Sequence, residues 1–364
     1  MLTRMQLVLG LRKFMINSLV RSNLRDFKPY SSARSLYQKG IFLDANENSL
    51  GSVISTEYGS GLNRYPDPLS MDLRNAIGKF LEVSEKNIFV GNGSDEIIDL
   101  LIRLFVEQDE EIIILEPTYG MYKVVAEIAG VNVKSLLLKP DFQIDVQNLL
   151  LQINSKTKII FICSPNNPTG NLMRSEDIKK ICESFKGIVV VDEAYIEFSS
   201  KLSLVNKISN IENLVVLRTF SKAWGLAGIR VGYAVAQEKI VEYLNKIKLP
   251  YNLNRISSGL AIEALKNYPK MLEFRKIILQ EKEKLAKELN NLGFKVFPSE
   301  ANFLLVSYPN ASDIAKKLAV DYGIIIRDFN SKHLLKDCVR ISVGTPEKND
   351  LLIKSLTEIL WKNL

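Results

Sequence analysis

Between residues 86 and 236, short runs of β-branched and aliphatic residues alternate with stretches of helical spacing. Phe89–Val90, Ile112–Leu115, Val131–Leu138, Ile159–Cys163, Ile188–Val191, Leu214–Leu217 and Val231–Ala236 read as strands. Several are apolar at consecutive positions, as expected of strands covered on both faces. Between the first two, Ile97, Leu101 and Leu104 stand at i, i+4 and i+7, which makes residues 95–106 a helix with one apolar stripe. Strand and helix signals in alternation predict an α/β architecture with a largely parallel, mixed sheet.

After Pro250 the pattern changes. Ile278, Leu285, Leu289 and Leu292 fall at helical spacing, and Gly293 is the expected stop. Strands are then expected at Lys295–Phe297, Phe303–Val306, Ile324–Arg327 and Val339–Val343, with helices over 311–321 and 346–362. This reads as a separate α+β unit. A chain of 364 residues supports two domains. The expected division is an extension and arm over 1–60, a large domain over 61–265 and a small C-terminal domain over 266–364.

Composition narrows the function classes. With 46% hydrophobic and 24% charged residues the chain is globular, neither disordered nor collagenous. Cys163, Cys182 and Cys338 lack C-x-x-C spacing and fit reduced core residues of a cytoplasmic protein better than a zinc site or a disulfide framework. The single histidine, His333, excludes a His-rich metal centre, weighs against a Ser-His-Asp triad, and reads as a solvated loop residue in a Lys-rich segment. The net charge of +7 comes from 48 basic residues interleaved with 41 acidic ones, clustered no further than pairs such as Lys179–Lys180 and Lys316–Lys317. That pattern fits a solvated surface or attraction of small anions better than a nucleic-acid stripe. No apolar stretch reaches the roughly 18 residues of a membrane span. Arg4, Arg12, Lys13, Arg21 and Arg25 precede the first acid, Asp26. This could be a transit peptide, but the basic residues are sparse and serine is not enriched. A helical arm on a neighbouring subunit, or a start upstream of Met15, is the preferred reading.

Candidate chemistry sits where strands end, the ligand-binding edge of open α/β sheets. Gly91-Asn92-Gly93-Ser94-Asp95-Glu96 joins a strand to a helix: glycines admit an anion close to the backbone, and a helix N-terminus attracts it. An ordinary N-cap at Ser94 is the alternative. Ser164-Pro165-Asn166-Asn167-Pro168-Thr169-Gly170 carries more prolines than a turn needs and specifies a rigid loop that aims an amide. Asp192 closes the buried strand Val189-Val190-Val191. A buried carboxylate requires a cation, a donor or a metal, and with no acidic cluster nearby a metal is the poorer choice. Thr219-Phe220-Ser221-Lys222 follows another strand. Its lysine lies among small and apolar neighbours that favour a neutral amine able to form a Schiff base. Arg230, eight residues on, suits a phosphate.

Asn-Pro-Thr-Gly (167–170), Asp-Glu-Ala-Tyr (192–195) and Thr-Phe-Ser-Lys (219–222) with Arg230 together resemble the fold-type I pyridoxal-phosphate (PLP) aminotransferases. The likeness narrows to the histidinol-phosphate aminotransferase family through Lys28-Pro29-Tyr30-Ser31-Ser32-Ala33-Arg34, Leu43-Asp44-Ala45-Asn46-Glu47-Asn48, Asn63-Arg64-Tyr65-Pro66-Asp67-Pro68, Pro117-Thr118-Tyr119-Gly120-Met121-Tyr122, Ile196-Glu197-Phe198 and Val339-Arg340-Ile341-Ser342-Val343-Gly344-Thr345. It spans the chain from about residue 15 to the end.

The resemblance implies that Lys222 carries PLP and moves the substrate proton. It implies that Asp192 pairs with the pyridine nitrogen, that Asn167 and Tyr195 bond the 3′-oxygen, and that Tyr119 stacks on the ring. Ser94, Asp95, Thr219, Ser221 and Arg230 would cup the phosphate, with Tyr65 reaching it from a partner subunit of a homodimer. Tyr30, Arg327 and Arg340 would hold the substrate's anionic end, with Asn46 near the entrance. The implied reaction exchanges an amino group between L-glutamate and imidazole-acetol phosphate, as in histidine biosynthesis. An aromatic-amino-acid transaminase, a threonine-phosphate decarboxylase of the same fold, and a basic binding protein that has lost catalysis are the alternatives.

Overall fold

A computed structural model describes residues 16–26, 61–330 and 334–361. Tyr30, Asn46, His333 and residues 1–14 lie outside them.

Seven strands form the first sheet: β1 (Ile88–Asn92), β2 (Glu111–Glu116), β3 (Asn132–Leu137), β4 (Thr157–Cys163), β5 (Ile188–Asp192), β6 (Leu214–Thr219) and β7 (Val231–Val235). Their order is β1-β7-β6-β5-β4-β2-β3, with β2–β6 parallel to their neighbours in that set and β7 antiparallel to both β6 and β1. The sheet is therefore mixed but mostly parallel. Consecutive apolar residues serve its two faces in turn. Ile113, Ile160, Ile162, Val189, Val191 and Val216 enter one buried cluster. Ile112, Ile114, Ile159, Phe161, Val190, Val215 and Leu217 enter the other, under the helix Ser94–Phe105 and with Ile16 and Val20 at its margin.

The second sheet is antiparallel, ordered β10-β11-β9-β8, from β8 (Lys295–Val296), β9 (Phe303–Ser307), β10 (Arg327–Asp328) and β11 (Cys338–Ser342). The helices Tyr268–Asn291, Ala311–Tyr322 and Pro346–Trp361 cover it around Leu285, Leu289, Leu318, Leu352 and Leu356. The long helix stops where the glycine signal put it, with Gly293 at φ +86°.

One expected strand is shorter than its apolar run. Only Arg327–Asp328 pairs, and 324–326 are outside the ladder. The Ile324 N–H is used to cap the preceding helix, bonding the Leu318 carbonyl at 3.0 Å after Gly323 turns left-handed at φ +67°. Among the described residues, no helix is long and apolar enough to cross a membrane.

Candidate active site

The carboxyl ends of β4, β5 and β6 lie side by side, with Cys163 opposite Asp192 and Asp192 opposite Leu217. The chain enters β7 from Arg230 at the same edge, opposite Thr219 through Gly232. A cleft opens there, lined by Ser94, Asp95, Tyr119, Asn167, Asp192, Tyr195, Thr219, Ser221, Lys222 and Arg230, together with Cys163, Ala194 and Ala227.

Strand parity sets the first functional group. Asp192 points to the same side as Val190 and Leu217, towards the helix Ser94–Phe105, and is 4% exposed. Its Oδ1 accepts the Ala194 N–H at 3.1 Å and its Oδ2 accepts the Tyr122 hydroxyl at 2.7 Å. Burial pushes this carboxyl up to about 6, opposed by those two donors and by Lys222. At neutral pH the protein thus holds a carboxylate in an unfavourable place, where a bound cation would stabilise it.

The loop after β4 divides its work between two asparagines. Asn166, fully buried, donates to the Pro117 carbonyl at 2.8 Å and to Thr169 Oγ1 at 2.7 Å, and its own N–H bonds the Asn171 carbonyl. With that frame fixed, Asn167 faces the cleft. Its Nδ2 donates to the Tyr195 hydroxyl at 3.3 Å and its Oδ1 accepts from Arg340, a residue of the second sheet. The cleft is therefore closed on one side by β11.

Lys222 lies beyond β6 with its Nζ 5.5 Å from the Tyr195 ring centroid. Its surroundings are more charged than the apolar sequence context implies. Partial burial lowers its affinity for a proton, the nearby Arg340 and Arg230 guanidiniums add to that, and Asp192 and Asp95 oppose it. The amine is thus readied as a nucleophile by charge as well as by burial.

At the other end the helix begins at Ser94 with Gly93 as its N-cap and no side-chain cap, so Ser94 is the first helical residue rather than the cap. Gly93 is required because its backbone, at φ +79° and ψ 166°, is one that residues with a Cβ rarely adopt, and the missing Cβ leaves room for Arg230 Nη2. At Gly232 a Cβ would stand 2.4 Å from the Ser94 nitrogen. Two glycines thus bring a helix N-terminus, a guanidinium and the hydroxyls of Thr219 and Ser221 together. That donor set suits a phosphate. Arg230 Nη2 meets Asp95 Oδ2 at 3.4 Å, and Asp95 Oδ1 accepts the Tyr119 hydroxyl at 3.1 Å.

Arg340 lies over the Phe303 and Phe329 rings at 5.2 and 5.5 Å, with Arg327 beside it across the β10–β11 ladder and over the same Phe329 at 5.8 Å. Burial lowers Arg340's proton affinity and the neighbouring Arg327 adds to that, while Tyr195 opposes it. Tyr65 is not at this cleft: it is half-exposed and stacks on Tyr251 at 4.5 Å. Among the described residues no cluster of His, Cys, Asp and Glu could hold a metal. All three cysteines are free and buried, but Cys163 is also a wall of the cleft rather than core alone.

Three features escaped the sequence reading. Tyr122 is fully buried against Asp192. Cys163 faces the cleft because it shares Asp192's parity. On the opposite parity, Glu193 and Arg218 meet beneath the site: Arg218 contacts Glu197 at 2.8 Å and Glu193 at 3.6 Å, all three nearly inaccessible. Arg275 of the long helix donates to the Glu197 and Ser199 carbonyls on the same segment. Replacing Arg218 with methionine strands two buried carboxylates. It is expected to lower the stability of the apoprotein by about 3–5 kcal/mol. Urea unfolding at pH 7 measures this, and a loss below about 1 kcal/mol would show the pair to be dispensable.

A model of the family described as aminotransferase class I and II matches residues 39–356. The chain is 46% identical over 348 residues to the histidinol-phosphate aminotransferase of Cytophaga hutchinsonii, covering 94% of this chain and 99% of that one. In structure it is similar to the histidinol-phosphate aminotransferase of Clostridium acetobutylicum (TM-score 0.77, 30% identity, 83% of this chain and 92% of that one). It is similar also to that of Sinorhizobium meliloti in complex with pyridoxal 5′-phosphate (TM-score 0.78, 25% identity, 88% and 90%). The chain belongs to the class I and II aminotransferases, enzymes that depend on pyridoxal phosphate.

Proposed function

We propose that this enzyme transfers the amino group between L-glutamate and imidazole-acetol phosphate, giving L-histidinol phosphate and 2-oxoglutarate. The observation that carries the reading is one cleft that joins a lysine amine, a buried carboxylate, a phosphate-suited cradle and a second-sheet arginine bonded to Asn167. High identity to a histidinol-phosphate aminotransferase over nearly the whole chain supports the substrate.

Bound PLP supplies an electron-withdrawing ring that takes up the electron pair of the substrate's C–H bond. The residues of this chain do the rest. Lys222 would anchor the cofactor covalently and, once free, would take the proton from the substrate carbon and return it. Asp192 would keep the ring nitrogen protonated, Asn167 and Tyr195 would hold the 3′-oxygen, and Tyr119 would cover the ring face. The start of the Ser94 helix with Asp95, Thr219, Ser221 and Arg230 holds the cofactor phosphate. Tyr65, away from its own cleft, reaches the phosphate of a second copy, so the working unit is a homodimer with shared sites. Three buried thiols fit a reducing cytoplasm.

Histidinol phosphate has a phosphate but no α-carboxylate, so recognition rests on anchoring that dianion away from the reacting carbon. Arg327 and Arg340 form the clamp, to which the family resemblance adds Tyr30 and Asn46, both outside the described residues, and guanidinium forks also bind the carboxylate of glutamate. An aromatic substrate would need an apolar pocket and one carboxylate clamp. The enzyme is therefore expected to prefer histidinol phosphate to phenylalanine by at least about a hundredfold in kcat/KM, roughly 3 kcal/mol. Arg327→Leu should erode that preference more than it slows the glutamate half-reaction. Strong activity on phenylalanine with weak activity on histidinol phosphate would favour the aromatic transaminase. Carbon dioxide released from threonine phosphate would favour the decarboxylase.

A further inference from the structure

We infer that Tyr122 is a positioning residue for the cofactor ring, acting through Asp192: its hydroxyl fixes the carboxylate's orientation and holds its negative charge in place opposite the ring nitrogen. The inference rests on the reading of Asp192 as that nitrogen's partner.

The geometry is specific. Tyr122 is fully buried, and its hydroxyl lies 2.7 Å from Asp192 Oδ2, while the Ala194 N–H takes Oδ1. A carboxylate offers about four acceptor directions. Two are taken, one on each oxygen, which fixes the plane of the group and leaves the remaining directions for a ligand. The phenol itself cannot swing away. Its ring stacks on Phe161 of β4 at 4.8 Å and 12°, and Tyr119 meets it edge-on at 5.5 Å and 83°. Tyr122 is in the first turn of the helix Met121–Ile128, and Tyr119 lies just ahead of that helix's N-cap, Gly120. Tyr119 lines the cleft, and Tyr122 lies behind it.

Electrostatics point the same way. The titratable groups around Asp192 are Tyr122, Tyr119, Tyr195 and Cys163 in the walls, with Asp95 and Lys222 across the cleft. Burial and Asp95 favour the protonated carboxyl, and the Tyr122 hydroxyl is the largest influence opposing them. Burial and the adjoining Asp192 hold the Tyr122 phenol neutral, so it remains a donor. Without that donor the proton shared by the carboxylate and the ring nitrogen would move towards the carboxylate.

The experiment uses the holoenzyme loaded with PLP carrying 15N in the ring, in the parent, Tyr122→Phe and Asp192→Asn proteins. Phenylalanine keeps the stacked ring and removes only the hydroxyl. The nitrogen resonance of Tyr122→Phe is expected to move towards that of unprotonated pyridine. The dissociation constant for PLP, by equilibrium dialysis against apoprotein, is expected to rise about tenfold. A purely structural tyrosine would lower the melting temperature without moving the resonance, and an unmoved resonance overturns the inference. Should Tyr122→Phe fail to fold, 3-fluorotyrosine placed at position 122 decides. As a stronger donor it must move the resonance further towards the protonated side, and no movement again overturns the inference. Asp192→Asn separates the two claims. If it moves the resonance and Tyr122→Phe does not, the Tyr122 inference alone fails. If Asp192→Asn leaves it unmoved, the reading of Asp192 fails and takes this inference with it.

Discussion

Lys222→Ala is expected to reduce turnover to below about a thousandth of the parent rate while the protein still folds and still takes up PLP. The loss is large because one amine does two jobs, covalent anchor and proton carrier, and no neighbour can replace it. Tyr195 is held neutral by burial, and a guanidinium is too weak an acid to replace the amine as proton carrier. Folding should survive because Lys222 is a loop residue only partly buried, outside the packed core, whose only described ring contact is the 5.5 Å approach to Tyr195. The helix start, hydroxyls and Arg230 remain to bind the phosphate, so uptake persists without the covalent link. Absorption spectra of the loaded variant check this. A retained Schiff-base band would mean that another lysine is the anchor.

Asp192→Asn is expected to slow the reaction by about three orders of magnitude or more, since the ring nitrogen loses its anionic partner. The amide keeps the size of the side chain: its oxygen can still accept the Ala194 N–H, and its NH2 can donate to the Tyr122 oxygen, so the fold should hold. The apoprotein carries a further signature. The Asp192 carboxyl is raised from 3.8 to about 6, so the native state keeps its proton while the unfolded chain has already lost it. Stability of the parent therefore falls as pH rises from about 4 through 6, and by pH 7 the cost is about 3 kcal/mol. The asparagine variant lacks that dependence. Its stability relative to the parent should improve between pH 4 and 7, with the gain absent below pH 4. Near-normal turnover in the variant would remove Asp192 from the proposed chemistry.

Much of this was legible in the residues, for physical reasons that also mark where reading stopped. Buried strands such as β4, β5 and β6 announce themselves because both faces need apolar side chains; all seven runs between 86 and 236 are strands of one sheet, although the edge strand β3 is only partly buried. The reversal of β7 is not written in its composition: Val231–Val235 would look the same running either way. Ile324–Ile326 has a strand's side chains, but a helix cap takes the backbone donor that pairing would need.

At the site, the motifs end at strand termini, and the fold brings those termini to one edge. Residues 136 positions apart, Ser94 and Arg230, become neighbours only through strand order, which no local pattern specifies. Tyr122 was overlooked because a buried aromatic at helical spacing reads as core. The signals that could have found it are its place three residues after Tyr119 and the parity of Asp192 with Phe161. Glu193 and Arg218 follow by the same rule, each next to a cleft residue and therefore on the reverse face.

The most direct measurement is a single turnover. PLP-loaded protein is mixed with L-histidinol phosphate alone, the ketone is quantified, and 2-oxoglutarate is then added. Amino transfer predicts about one equivalent of imidazole-acetol phosphate per cofactor before the acceptor is present, then a matching equivalent of glutamate after it. No ketone from histidinol phosphate, or ketone with no glutamate following, would contradict the account.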